Sequence, residues 1–431
     1  MIYCNAETYT RKRMQRVQLD NLQETVKRVY SLVPFYKNKF DELKLRPEDI
    51  DSLEDISKLP FTKKQDLRDN YPYGLFAVDM DEIVRIHSSS GTTGKPTVVG
   101  YTAKDMNLWS EVMARIFYMG GVNSSDILHN AIGYGLFTGG LGFHEAAQRM
   151  KVAVIPSSTG FTSRQLLLMK DFKATVLNTT PSFALHMAET ASNEGYDLKK
   201  DLLLKCGFYG GEPASQGLKD EVQKTWGIPF YEVYGLSEII GPGVAGSCKH
   251  SNKLHINEDH FYPEILDPNT LEPVSEGQRG ELVLTTITKQ GLPLIRYRTG
   301  DITSLDYTPC RCGRTTVKME SVVGRSDDMI IVGGVNIFPS QIEHVLSNID
   351  GVSLNYQIVL NKKGHLDKLE LDVEISDDIM SDSIKDLEKI KDEIQKSILN
   401  NLYINAQIKL VQPNSIERSA GKAVRIIDKR K

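Results

Sequence analysis

Long apolar runs are missing from this 431-residue sequence, so it offers no candidate for a membrane-spanning helix. The first fifteen residues also lack the apolar core of a signal peptide, and we therefore expect a cytoplasmic protein. An excess of basic residues is absent as well, because the formal net charge is −4. This charge argues against a nucleic-acid-binding surface and against binding to anionic membranes.

Cysteines are few, and their odd number of five, thinly spread, argues against a disulfide framework. Hydrophobic residues make up 40% of the chain and charged residues 25%, which is ordinary for a soluble globular protein. A chain of 431 residues is longer than a single hydrophobic core usually stabilises. We therefore expect at least two domains.

Apolar periodicity indicates the fold class. In the first eighty residues Leu22, Val26, Val29 and Val33 recur at helical spacing, and Pro34 ends the run. From about residue 150, short apolar runs are each followed by a turn and a helix-like segment: KVAVIP, ATVLNTT, LLLKCGFYG and FYEVYG. This alternation predicts an α/β domain with a mostly parallel sheet and helices on both faces.

The stretch after residue 325 predicts a separate, small α+β domain. LELDVEI alternates as a half-buried strand does, and AQIKLV is a second strand candidate. Ile384, Leu387, Ile394 and Ile398 form the apolar stripe of a helix between these two strands.

A loop rich in glycine and hydroxyl residues, SSSGTTGKPT at Ser88–Thr97, is the first candidate site. It is not a Walker loop, because Ser89 stands where that motif needs a glycine and Lys95 is followed by Pro96. Its backbone N–H groups, hydroxyls and lysine are nevertheless suited to bind phosphate. A flexible surface loop has the same composition, so the loop alone leaves both interpretations open.

Polar turns follow three of the predicted strands, with the sequences TTPS, GGEP and YGLSE. Ligands of open α/β sheets bind at the carboxyl ends of the strands, so these turns predict one shared crevice. Turn formation alone explains the glycines and Ser182. It does not explain why Glu212 and Glu238 both stand at such turns.

Several motifs occur in the order that is typical of one superfamily. They are LPFTKKQDLRDNYPYGLFAV, SSSGTTGKPTVVGYT, NAIGYGLFTGGLGFH, YGGEP, VYGLSE, HFYPEI, IRYRTGD, GRSDDMIIVGGVNIFPSQIE and RSAGKAVRIID. With these motifs the chain resembles the adenylate-forming enzymes, which include acyl-CoA synthetases, luciferases and peptide-synthetase adenylation domains. Within that superfamily it closely resembles the phenylacetate-CoA ligase family, over nearly its full length.

The resemblance implies an AMP-forming acid-thiol ligase of aromatic acid catabolism. The carboxylate of the acid attacks the α-phosphorus of ATP, which gives an acyl-adenylate and pyrophosphate, and the thiol of coenzyme A then displaces AMP. The acid is already ionised at pH 7 and needs no general base. The site must instead supply positive charge and N–H donors, because an anion approaches a polyanion.

The resemblance also implies roles for individual residues. Glu238 would hold Mg²⁺, Asp301 would accept hydrogen bonds from the ribose hydroxyls, and Arg325 would approach the ribose or the α-phosphate. Taken singly, Asp301 is better explained as a turn residue after Gly300, and Glu238 as a carboxylate in the first turn of a helix. The loop residues implied to hold the β- and γ-phosphates are Ser88, Ser89, Ser90, Gly91, Thr92, Thr93, Gly94 and Lys95. The other residues implied to bind ATP or AMP, several of them around the adenine, are Gly211, Glu212, Pro213, Tyr234, Gly235 and Ser237.

Lys422 is implied to be the catalytic lysine, because a flexible ammonium can follow the charge that develops on the α-phosphate. Asp327 matches a hinge whose rotation between the half-reactions would bring Gly333 and Gly334 to the CoA side. A solvent-exposed tail lysine and a simple interdomain turn are the alternatives. The predicted domains are a large N-terminal domain over 1–324, a hinge at 325–327 and a mobile C-terminal domain over 328–431.

Tyr134 and Phe137 are candidates for the acyl pocket, with Tyr234 at its rim, because aromatic rings and glycines together suit a flat aryl group. Core aromatics would give the same pattern. Phenylacetate is the family's name substrate, and an indolyl, hydroxylated or longer arylalkanoate would fit as well.

A group of cysteines and histidines lies outside the ligase motifs. Cys248 and His255 lie sixty residues before Cys310 and Cys312, and these four residues predict a structural Zn²⁺ site. His250 is the alternate ligand. Free thiols in a reducing cytosol are the alternative interpretation.

Other functions are compatible with parts of this sequence. The same adenylation chemistry could deliver the acyl group to a carrier-protein thiol, or the fold could serve a non-catalytic nucleotide-binding protein. A zinc-dependent nucleic-acid binder is disfavoured by the acidic balance. The expected partners are a small carboxylic acid, ATP and CoA, with no nucleic acid and no membrane, and a homodimer stays open.

Overall fold

The computed structural model describes residues 2–88, 96–326, 330–332, 335–363, 366–376, 384–402, 404–417 and 425–430. Several predicted site residues lie outside the described residues: Ser89, Ser90, Gly91, Thr92, Thr93, Gly94, Lys95, Asp327, Gly333, Gly334 and Lys422.

The described helices and strands alternate through most of the chain. The helices are α1 Arg11–Leu32, α2 Pro34–Glu42, α3 Lys64–Asp69, α4 Ala103–Met119, α5 Gly139–Arg149, α6 Thr162–Asp171, α7 Pro181–Asn193, α8 Leu198–Asp201, α9 Gln216–Trp226, α10 Pro339–Leu346 and α11 Ile384–Leu402. The strands are β1 Ile83–Ser88, β2 Val98–Thr102, β3 Ile127–Asn130, β4 Ala153–Ile155, β5 Val176–Thr179, β6 Cys206–Gly210, β7 Phe230–Leu236, β8 Gly241–Cys248, β9 Ser251–Ile256, β10 Phe261–Leu266, β11 Gly280–Thr286, β12 Tyr297–Thr303, β13 Leu305–Asp306, β14 Lys318–Met319, β15 Gly324–Arg325, β16 Ile330–Val332, β17 Val335–Ile337, β18 Val352–Lys363, β19 Leu366–Ile375, β20 Ala406–Val411 and β21 Ile426–Asp428. No helix in this part of the chain is long and apolar enough to cross a membrane.

The described chain divides into two compact units. The first comprises residues 1–179, 200–211 and 229–321, and the second comprises 180–199, 212–228 and 322–431. The second unit therefore includes α7 and α9, which precede the predicted hinge in sequence. The boundary at 325–327 stays a prediction.

The helical start of the chain follows the predicted pattern. Leu22, Val26 and Val29 are buried along α1, which ends where Pro34 begins α2. Proline is tolerated at the first position of a helix because the N–H that it lacks has no partner within the helix there.

The main sheet of the first unit has the strand order β13-β14-β9-β8-β7-β6-β5-β3-β4. The five strands from β4 to β7 pair in parallel, which confirms the strands predicted from the apolar runs. Beyond β7 the sheet continues with antiparallel strands that the apolar pattern did not indicate. The result is an α/β fold in which about half of the largest sheet is parallel.

Close packing explains why β8 escaped prediction. This strand, GPGVAGSC, is almost wholly buried but carries few large apolar side chains. A Cβ atom at Gly243 would lie 2.9 Å from Val112, and one at Gly246 would lie 2.8 Å from Ile116. Small residues are therefore required where α4 packs against β8, and they remove the alternating apolar signal.

The C-terminal part of the second unit confirms the predicted α+β module. Its sheet has the order β20-β19-β18-β21, with β18 and β19 antiparallel and the outer strands parallel to their neighbours. LELDVEI lies in β19 and AQIKLV forms β20. Of the predicted stripe on α11, Ile394 and Ile398 are fully buried.

Candidate functional site

The turn after β7 carries the predicted magnesium ligand. Glu238 is 6% exposed, and one of its carboxylate oxygens accepts a hydrogen bond of 3.2 Å from the hydroxyl of Thr97. The same oxygen lies 3.7 Å from the ammonium of Lys64. Burial of a carboxylate is costly unless charge and hydrogen bonds compensate it, and here the Thr97 hydroxyl and the Lys64 ammonium supply that compensation.

A buried lysine that sequence reasoning missed contacts this turn. Lys289 is 1% exposed, and its ammonium donates to the backbone carbonyls of Glu238 and Ile239. Burial lowers the pKa of Lys289 to about 8. No sequence signal could have identified it, because a lysine between Thr288 and Gln290 resembles a surface residue until the fold buries it.

Tyr234 and Asp301 are brought together from two different sheets of the first unit. The Tyr234 hydroxyl in β7 donates to Oδ2 of Asp301 in β12 at 2.5 Å. Asp301 is 7% exposed, and Gly300 before it adopts a φ of +78°, which favours glycine. The pair joins two motifs, VYGLSE and IRYRTGD, that lie more than sixty residues apart in sequence.

The remaining nucleotide-site candidates occupy the ends of strands. Ser88 ends β1, and the hydroxyl of Ser237 lies 3.0 Å from that of Thr138. Gly235 belongs to β7, and Arg325 belongs to β15.

The GGEP turn begins where β6 ends. Gly211 adopts a φ of +84°, and the next residue, Glu212, belongs to the second unit. There the Glu212 carboxylate accepts hydrogen bonds from the backbone N–H and the hydroxyl of Ser182, in the first turn of α7. A carboxylate at a helix N-terminus is favoured by the helix dipole, and this contact explains Glu212 without a ligand. Its predicted role toward adenine, with Pro213, stays a prediction.

The candidate acyl segment contains one well-fixed aromatic residue and one exposed one. The hydroxyl of Tyr134 accepts a hydrogen bond of 2.7 Å from the Asn130 amide and lies 3.1 Å from Nδ1 of His144. Burial raises the pKa of Tyr134. Phe137 is 52% exposed. Between them, the carbonyl of Leu136 accepts from the backbone N–H of Ser88, which links this segment to the start of the phosphate loop.

The four predicted zinc ligands form one cluster in the first unit. The ligand atoms of Cys248, His255, Cys310 and Cys312 all lie within 4.8 Å of one another. Cys248 and His255 come from the β8–β9 hairpin, and the two other cysteines come from the loop between β13 and β14. The β14 strand pairs with β9 at His255, so the sheet itself brings the two segments together.

The thiols of the cluster perturb one another. The pKa of Cys312 is lowered, first by its hydrogen bond with Cys248 and then by that with His255, despite burial. The same Cys248–Cys312 bond raises the pKa of Cys248, and burial raises it further. His250, the alternate ligand, instead lines a neighbouring surface cavity with Cys248 and Cys312.

Comparison with protein families gives two matches that together cover most of the chain. Residues 12–288 match the AMP-binding enzyme family, and residues 334–430 match the AMP-binding enzyme C-terminal domain.

Individual proteins resemble the chain over almost all of its length. It is 44% identical to a phenylacetate-coenzyme A ligase of Thermus thermophilus, over 99% of this chain and 98% of that protein. It is 42% identical to a phenylacetate-coenzyme A ligase of Escherichia coli, over 98% and 97% respectively. Among solved structures, a 2-hydroxyisobutyryl-CoA ligase in the postadenylation state matches with a TM-score of 0.93 at 30% identity, over 99% of this chain and 91% of that one.

Proposed function

Since the chain belongs to the AMP-binding enzyme family, with phenylacetate-coenzyme A ligases as nearly full-length relatives, we propose that it is an ATP-dependent ligase joining phenylacetate or a similar aryl acid to coenzyme A. The identity of 44% over 99% of the chain carries this proposal. Formation of the aryl-CoA thioester, AMP and pyrophosphate in equal amounts from acid, ATP and CoA tests it.

Asp301 is proposed to bind the ribose of ATP. Its Oδ2 atom accepts a hydrogen bond from the Tyr234 hydroxyl, which holds the carboxylate in one position. A carboxylate that accepts from hydroxyls makes a charge-assisted bond, and such a bond is stronger than one between neutral groups.

Replacing Asp301 by alanine is expected to raise the KM for ATP by roughly 10- to 100-fold, because a hydrogen bond to a charged group contributes about 1.5–3 kcal/mol. Steady-state kinetics with saturating acid and CoA would measure it. Asp306→Ala is the matched control, since Asp306 belongs to the same unit but pairs with Lys253 and Lys318. An unchanged KM in the Asp301 variant would exclude the ribose role.

Glu238 is proposed to hold Mg²⁺. The residues present fit this hard cation, because the Glu238 carboxylate and the Thr97 hydroxyl that contacts it both offer oxygen atoms as metal ligands. A bound Mg²⁺ would supply charge neutralisation at the phosphates of ATP. The chain's own contribution is to hold the carboxylate in a buried position, with Thr97 donating to one of its oxygens.

The roles of residues outside the described part are proposals that rest on family membership. Ser89–Lys95 are proposed to hold the pyrophosphate part of ATP, and Lys422 to stabilise charge on the α-phosphate. Asp327 is proposed as the hinge between half-reactions, with Gly333 and Gly334 on the CoA side. Arg425, three residues after Lys422 in sequence, lies 4.5 Å over the ring of Tyr356 within the second unit.

A structural Zn²⁺ is proposed for the cysteine and histidine cluster. Two thiolates bound to zinc at about 2.3 Å with a tetrahedral angle are about 3.8 Å apart, and a thiolate and an imidazole nitrogen are about 3.6 Å apart. The Sγ atoms of Cys248 and Cys310 are 3.8 Å apart, and Sγ of Cys312 lies 3.5 Å from Nε2 of His255. These separations match the edges of a zinc tetrahedron.

The surroundings of the cluster support the same proposal. Nδ1 of His255 lies 3.1 Å from the Thr316 hydroxyl, an arrangement that leaves Nε2 to bind a metal. Arg314 forms a buried ion pair of 2.5 Å with Glu7, which fastens the loop of Cys310 and Cys312 to the start of the chain. With four protein ligands such a zinc would have no open position, so its role would be structural.

A further inference from the structure

Lys289 binds the Glu238 turn through its ammonium group. Its Nζ donates to the carbonyl of Ile239 at 2.7 Å and to that of Glu238 at 3.3 Å. Its third side faces the ring of Tyr101, whose centroid lies 4.9 Å away. The ammonium therefore contacts two backbone carbonyls and an aromatic face.

The turn needs these contacts because it is tight and buried. The backbone N–H groups of Ile239 and Ile240 both donate to the carbonyl of Leu236, so the chain reverses within five residues. The carbonyls of Glu238 and Ile239 take no part in these two bonds, and a buried carbonyl without a donor is costly. Lys289 supplies the donor for both.

Hydrogen bonds also anchor the backbone that follows Lys289 and the end of the turn. The carboxylate of Asp105 accepts from the backbone N–H groups of Gln290 at 2.7 Å and of Gly291 at 2.8 Å. The hydroxyl of Tyr101 donates to the carbonyl of Ile240, in the same turn, at 3.1 Å. All of these residues belong to the first unit, and Asp105 and Tyr101 are no more than 1% exposed.

We propose that Lys289 is a positioning residue for Glu238: it fixes the 236–240 turn by its carbonyls and thereby sets where the carboxylate meets Mg²⁺·ATP. The inference rests on the proposed function, because Mg²⁺·ATP is the ligand of that reaction. It assigns Lys289 no contact with substrate. Its effect passes through the backbone of the turn.

Metal affinity is the most direct test, with Mn²⁺ as the probe because carboxylate sites that suit Mg²⁺ also suit Mn²⁺. Free Mn²⁺ would be followed by electron paramagnetic resonance in the presence of a non-hydrolysable ATP analogue. Lys289→Met is expected to weaken Mn²⁺ binding by about 10- to 100-fold, as is usual when the support of a metal ligand is removed. In turnover, half-saturating Mg²⁺ should rise by a similar factor, with a smaller fall in kcat.

A double substitution separates positioning from general stability. If Lys289 acts through Glu238, adding Lys289→Met to Glu238→Gln should weaken Mn²⁺ binding less than about twofold further. A full additional loss would overturn the proposal, and so would unchanged Mn²⁺ affinity in Lys289→Met alone. If the methionine variant does not fold, the same Mn²⁺ measurement on Lys289→Gln decides the question, because glutamine removes the charge and one of the three N–H donors.

Lys318→Met is the matched control, because Lys318 is a buried lysine of the same unit that pairs with Asp306. It should lower stability without changing half-saturating Mn²⁺. Failure of the inference is distinguishable from failure of the proposed function: wild-type protein that forms aryl-CoA while the Lys289 variants bind Mn²⁺ normally refutes only the inference. Wild-type protein that binds Mn²⁺·nucleotide but forms no thioester refutes the function.

Discussion

Alanine at Lys422 is expected to lower the rate of acyl-adenylate formation by about 100- to 1000-fold, the usual cost of removing one preorganised group from a developing charge. The reason is electrostatic: a carboxylate must approach the phosphates of ATP, and a lysine ammonium can follow the charge on the α-phosphate. Acid-dependent exchange between pyrophosphate and ATP would measure this half-reaction alone.

The second half-reaction should respond differently. When synthetic aryl-adenylate and CoA are supplied, the Lys422 variant is expected to form the thioester at nearly the wild-type rate. Lys429→Ala is the matched control, because Lys429 is an exposed lysine near the end of the chain. Equal loss of both half-reactions would contradict the assignment of Lys422 to adenylation.

Loss of one zinc ligand should produce the largest effect on stability. Serine at Cys310 is expected to reduce bound zinc from about one ion per chain to near zero, because a structural site needs all four ligands. Since metal binding contributes directly to folding, the apparent Tm should fall by roughly 5–10 °C. Elemental analysis and thermal unfolding of the purified protein would measure both quantities.

Two controls accompany this experiment. Cys4→Ser should leave zinc content and Tm unchanged, because Cys4 is a free cysteine outside the cluster. A strong chelator should reproduce the loss of stability in the wild-type protein and have little effect on the Cys310 variant. Wild-type protein that contains no zinc after purification without chelators would mean that the four residues are free thiols and a histidine.

The sequence predicted those elements whose signal is local. Strand β5, for example, is a short apolar run before a polar turn, and α11 carries a regular apolar stripe. Strand β8 could not be predicted in the same way, because the small residues that fill it are chosen by contact with α4. Its role in the sheet depends on tertiary packing, which periodicity does not report.

In the candidate site, too, some features have a signal in the sequence and others follow only from the fold. Cysteine and histidine are scarce in this chain, so a cluster of these four residues could be predicted from residue type, and the β8–β9 and β9–β14 pairings bring its members together. The metal stays a prediction. Tyr234 and Asp301 were named separately, but their direct contact follows only from the fold. Lys289 could not be predicted, because its contacts with the Glu238 turn depend on its burial. A lysine in a sequence is expected on the surface.

Product analysis with free coenzyme A tests the central claim most directly. The purified protein would be incubated with phenylacetate, ATP, Mg²⁺ and CoA, and phenylacetyl-CoA, AMP and pyrophosphate would be quantified together, with related aryl and alkyl acids in parallel. The ligase assignment predicts the three products in equal amounts, each dependent on the acid. Adenylate that accumulates without transfer to CoA would instead indicate a carrier-protein thiol as acceptor, and the absence of acid-dependent AMP would contradict the assignment altogether.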